Sequence, residues 1–224
     1  MTFTFFMFSI LQDKLKNIQL FLSITLSYFI IIFLSSTFLS TDDLIVEHYS
    51  DLLSNDQLSQ YLENKKEWWW ISYSIIPIII LIRTSVVSFC LSVGLFLYDI
   101  ENKIQFKQFF RIALIGEFVL VFVGVFKLIY FYFFKTEVTL QELQQFYPLS
   151  YINFLDVENL EPWLVYPLQT VNLFEIMYFF VLVYGMHKLL KNNYWKSFEI
   201  TAASYGTGLL IWLGLVMFLT LNIS

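Results

Sequence analysis

The sequence predicts an all-α, polytopic transmembrane helical bundle with five spans and a short helical extracytoplasmic cap. Three observations carry that prediction. Apolar residues make up 58% of 224 positions and charged residues 14%, too little polar surface for a soluble domain of this length. Residues 18–40, 68–98, 112–134, 166–187 and 200–221 are each apolar over the roughly 20 residues a helix needs to cross a bilayer core. The polar segments between them alternate between basic and acidic, as the two sides of a membrane require. No internal repeat or low-complexity linker divides the chain, so residues 1–224 read as one domain.

The first residues, MTFTFFMFSILQ, lack the basic n-region and small-residue cleavage site of a signal peptide. They read as an aromatic helix lying in the interface before Asp13, Lys14 and Lys16. The first span, 18–40, carries no charge. At about 1.5 Å per residue the second, 68–98, exceeds one perpendicular crossing and must tilt, protrude or bend. Pro77 offers the bend, since it has no amide to give the Tyr73 carbonyl.

Lys14, Lys16, Lys103, Lys107, Arg111, Lys188, Lys191 and Lys196 fall on one side of this arrangement, and Lys65, Lys66 and Lys135 on the other. The positive-inside rule then puts the N-terminus in the cytoplasm and the C-terminus outside, in a bacterial cell (inner) membrane. Twelve of the 18 acidic residues lie in the outer segments 41–67 and 135–165. Trp68, Trp69, Trp70 and Trp163 mark the outer boundary and Trp195 the inner one. Both outer segments hold a capping-box pattern, Ser54 with Gln57 and Thr139 with Glu142, and Pro162 suits the first turn of a helix. A small, acidic, partly helical cap is expected there.

Four ionisable residues fall inside spans: Arg83, Glu117, Lys127 and Glu175. Each costs about 3 kcal/mol or more in lipid when unpaired, so partners are expected. Counting from the outer boundary puts Lys127 and Glu175 at nearly one level, which makes them the first pairing. Arg83 then points into the same polar core, and Glu117 sits near the inner boundary within reach of Arg111 or Lys107. Gln169, Asn172 and Glu175 follow at three-residue steps as an inward polar stripe. Two readings of these charges stand side by side: a static network that fixes how helices meet, and a path for a proton, ion or solute.

Other chemistry is not signalled. His48 and His187 lie on opposite sides and cannot share a metal. Asp42, Asp43, Glu47 and Asp51 form no EF-hand loop. The single cysteine, Cys90, excludes an intramolecular disulfide. No Walker A loop, nucleophile elbow or zinc helix occurs, so no catalytic residue, metal or cofactor is expected. The few basic residues give no nucleic-acid footprint. In TAASYGTG, Ala202 to Gly206 and Ser204 to Gly208 space small residues four apart, which allows close helix approach within the chain or between copies in a homo-oligomer.

The layout resembles the Yip family of five-span membrane proteins. The likeness is carried by IQFKQFFRIALIGEF (104–118), an amphipathic lead into the third span, and YGMHKLLKNNYWKSFEITAASYG (184–206), a basic hairpin joining the last two. It covers about residues 68–221 as hydropathy and spacing. The Asp-Leu-Tyr-Gly-Pro signature of eukaryotic members is absent, so the resemblance implies the fold and not a vesicle-traffic role. The expected function is a non-enzymatic subunit or accessory/scaffold of a membrane or envelope complex, whose partners are the lipid bilayer and another membrane or envelope protein. The alternative is a small transporter or channel component with an intramembrane charged relay.

Overall fold

The computed structural model describes residues 16–39, 41–50, 52–98, 104–135, 138–156 and 160–223; the interface helix expected at the N-terminus, and Asp51, lie outside them. Five runs are helices long and apolar enough to cross a membrane, and they build a multi-pass bundle. They are α1 (Asn17–Phe38), α4 (Trp69–Leu97), α5 (Phe106–Phe134), α8 (Leu173–Leu190) and a last run, Tyr194–Asn222. That run comprises α9 (Tyr194–Thr201), a π-helical turn (Ala202–Gly206) and α10 (Thr207–Ile223).

Between the spans lie α2 (Thr41–Tyr49), α3 (Asn55–Glu67), α6 (Leu140–Gln145), a 3-10 turn (Tyr151–Phe154) and α7 (Pro162–Thr170). Both expected capping boxes form: Ser54 Oγ accepts from the Gln57 amide at 3.4 Å, and Thr139 Oγ1 accepts from the Glu142 amide at 3.1 Å. Pro162 opens α7, where a missing amide costs nothing.

α5 is the axis of the bundle. Phe109, Ile112, Leu114, Ile115 and Val119 bury its sides against α1, α4 and α8. Glycines set the closest approaches. A Cβ on Gly116 would stand 2.7 Å from the Tyr178 ring, and one on Gly124 would stand 3.0 Å from Ile31 of α1. The last run packs on α4 in the same way: a Cβ on Gly94 would meet Ser204 Cβ at 2.4 Å, and one on Gly208 would meet the Cys90 sulfur at 2.7 Å. Ser204 and Gly208 therefore serve packing inside the chain. Gly206 has open space around it, and Ala202, though half-buried, is set by the π turn itself.

Three span boundaries differ from those the hydropathy predicts. The third span starts at Phe106, not near 112, because Lys107 and Arg111 continue the helix at its basic end. The fifth starts at Tyr194, not near 200. The fourth is not continuous from 166: it breaks at Val171 and Asn172, and residues 166–170 belong to α7. Pro167 lies inside α7, and α4 passes through Pro77 without a break.

The break is closed by the segment before it. The Tyr151 amide donates to the Val171 carbonyl at 2.9 Å, the Leu173 amide donates to the Leu149 carbonyl at 3.2 Å, and Ser150 Oγ donates to the Leu168 carbonyl at 3.0 Å. Backbone polar groups freed by a helix break need protein partners where water is excluded, and residues 149–151 supply them here. Leu149 takes φ 54°, left-handed and unfavourable for a branched side chain, so its neighbours hold it there.

Candidate functional site

Arg83 sits at the middle of α4, and its partner is Glu117 of α5. Arg83 Nε donates to Glu117 Oε1 at 2.8 Å, and Nη2 donates to Glu117 Oε2, closing a two-pronged ion pair. Nη2 also donates to the Tyr28 hydroxyl of α1 at 3.2 Å. Three spans thus meet on one guanidinium, the geometry that suits arginine better than lysine. Glu117 is fully buried, with 0% of its side chain exposed.

This corrects the expected pairings. Glu117 is held by Arg83 and not by Arg111 or Lys107. With α5 starting at Phe106 it stands about 16 Å along the helix, fully buried inside the bundle. Arg111 instead donates to Asn17 Oδ1 at 3.2 Å, while Asn17 donates to the Lys107 carbonyl at 3.0 Å, tying the basic ends of α1 and α5.

Glu175 does not pair with Lys127. The break above it makes Glu175 a first-turn residue of α8, where Asn172 is the N-cap and its Oδ1 accepts the Glu175 amide at 2.8 Å. The amide nitrogen of Asn172's side chain donates to the carbonyls of Gln169 and Thr170, at 2.8 and 3.0 Å. Gln169 donates to the Gln145 carbonyl at 3.0 Å, pinning α7 to the end of α6. The three residues therefore form no stripe on one helix; two of them hold the break together. Glu175's carboxylate accepts from the Tyr205 hydroxyl in the π turn. A π turn carries one extra residue per turn and re-aims the side chains within it.

Lys127 stands apart, half-buried on α5 with no hydrogen bond or ion pair to any described residue. Reading charge alone missed four tyrosines. The Tyr28 hydroxyl accepts from Arg83, the Tyr205 hydroxyl donates to Glu175, and Tyr178, 1% exposed, has its ring 5.6 Å from that of Tyr205. Tyr147 lies just before the segment that closes the break and packs against the buried core. Nothing local marks these among the chain's 14 tyrosines.

At the acidic end, a cavity of about 260 Å³ opens between Tyr130, Phe131, Phe146, Ile152, Lys135 and Glu142. Lys135 Nζ lies 2.8 Å from Glu142 Oε1, and that ion pair holds the Glu142 carboxyl below its ordinary range. Among the described residues no set of His, Cys, Asp and Glu is placed to hold a metal ion. No protein-family model, curated protein or solved structure matches this chain.

Proposed function

We propose that the chain is a non-enzymatic, multi-pass subunit or accessory component of a larger membrane or envelope complex. Its setting in this proposal is a bacterial inner membrane, N-terminus cytoplasmic and cap outside, as the distribution of lysine and arginine supports. The five-span layout shared with the Yip family belongs to the same proposal.

The observation that carries it is Lys127. Arg83 and Glu117 satisfy each other inside the bundle, and Glu175 is held by Tyr205. Lys127 lies seven residues, about 10 Å of rise, below the end of α5, with no anion among the described residues of its own chain. A charge at that depth is stabilised by an opposite charge, and a neighbouring helix bearing Asp or Glu at the same level supplies it. The partner is thus a membrane protein with an acidic residue in one span. Affinity purification from native membranes tests this. Wild type recovers a stoichiometric membrane partner, Lys127→Leu loses it, and Lys127→Arg keeps it. Recovery of the same partner with Lys127→Leu contradicts the reading.

A second reading, a small transporter or channel component, is favoured by one feature: the fourth span is interrupted and presents a carboxylate at the break.

A further inference from the structure

We propose that Glu175, Tyr205 and Tyr178 form a binding site for one monovalent cation, H⁺ or Na⁺, inside the membrane. The site rests on neither Lys127 nor a partner protein, and it gives the second reading its ligand class.

Charge balance is the first argument. The cluster at this level holds two carboxylates and one guanidinium. Both oxygens of Glu117 are taken by Arg83, whose remaining contact is to Tyr28. Among the described residues the Glu175 carboxylate is left with one hydroxyl, that of Tyr205. The N-terminal end of α8 offers it about half a positive charge, short of neutrality. A carboxylate in a hydrocarbon setting without a full counter-charge is costly, and a small cation removes that cost.

The second argument is independent of charge. Tyr178 is on α8 three residues after Glu175, so the two share a helix face. Its hydroxyl is buried, has no hydrogen-bond partner among the described residues, and lies in the field of Glu117, Arg83 and Glu175. Native proteins rarely leave such a group unpaired, and an oxygen of this kind beside a carboxylate is a ligand for a hard cation or an acceptor for an acid proton. Gly116 makes the space for its ring, since a Cβ there would stand 2.7 Å from it.

Backbone geometry supplies the third argument. The helix break at Asn172 and the π turn at Ala202–Gly206 both depart from regular helix, and they do so at the two ends of the Glu175–Tyr205 contact. Such departures cluster at functional positions and cost stability elsewhere. The groups that face Glu175 from other elements are Arg83 on α4, Glu117 on α5, Tyr205 in the π turn, and Tyr147 just before the segment that closes the break. Tyr28 on α1 lies behind Arg83 and Glu117. Arg83 is already engaged by Glu117, so none of these groups supplies the missing cation.

The experiment uses the full chain in nanodiscs of neutral lipid. One arm titrates pH in choline buffer and follows protonated-carboxyl absorption by infrared difference spectroscopy. The other measures binding of radioactive Na⁺ at fixed pH. The wild type shows one carboxyl per chain responding in the proton arm, or one Na⁺ bound in the sodium arm, and Glu175→Gln abolishes it. Tyr205→Phe and Tyr178→Phe each weaken it about tenfold, the value of one hydrogen bond to a charged group. If Glu175→Gln fails to fold, the two phenylalanine variants decide alone. No response in either arm, or one unchanged by both phenylalanine substitutions, overturns the proposal.

Discussion

Arg83 and Glu117 close a two-pronged ion pair between α4 and α5, with Tyr28 of α1 as third partner, at the middle of the bundle. The pair joins helices that bury mostly hydrocarbon, so it sets their register more than their affinity. Glu117→Gln leaves the guanidinium uncompensated and lowers stability by about 3–5 kcal/mol. Replacing both partners, Arg83→Met with Glu117→Leu, restores most of that loss. Thermal or denaturant unfolding in one detergent reads both effects; equal losses in the single and double variants contradict a mutual pair.

Gly94 and Ser204 bring α4 and the last span together, and the space has no room for a methyl group. Gly94→Ala lowers stability by about 1–3 kcal/mol through overpacking. Gly206→Ala, with nothing within 4 Å, costs no such penalty. The two melting temperatures, measured side by side, separate packing inside the chain from a generic sensitivity of the π turn.

Asn172 both caps α8 and occupies two carbonyls of α7. Asn172→Ala removes all three contacts, and loss of the cap alone is worth about 0.5–2 kcal/mol. Hydrogen exchange should quicken at residues 173–176 and in the closing segment 149–152, while α5 keeps its protection. Uniform quickening across the bundle contradicts a local role.

Lys135 and Glu142 hold the start of the cap in place, and the pair keeps the Glu142 carboxyl below its ordinary range. A depressed folded-state value means the contribution is present above the unfolded carboxylate pKa and disappears as pH falls through the folded one. Cap protection at residues 138–146 therefore drops on acidification below that range and falls modestly with salt, since the pair is exposed. Glu142→Gln removes both dependences in a hydrogen-exchange series.

The five spans were legible because hydrophobic runs of bilayer length leave few alternatives. The charge pairings were not, because they depend on where each helix starts. Lys107 and Arg111 read as an inner-boundary segment, which starts the third span six residues late; in the structure they are already helix. Asn172 looked like one polar step in a continuous apolar run. Its spacing to Glu175 matches the cap pattern that located α3 and α6, and Pro167 stands just upstream, so a signal for the break existed. Tyr28, Tyr178 and Tyr205 carry no such signal, because only the packing of other helices gives their hydroxyls a role. The acidic cap and its two capping boxes followed directly from local sequence.

Site-specific photo-crosslinking beside Lys127, with a probe at Phe126 and another at Leu128, tests the central claim in intact membranes. A discrete adduct to one membrane protein, lost when Lys127 becomes Leu and kept when it becomes Arg, is the predicted result. Adducts to lipid alone from both positions would contradict the reading of this chain as a subunit.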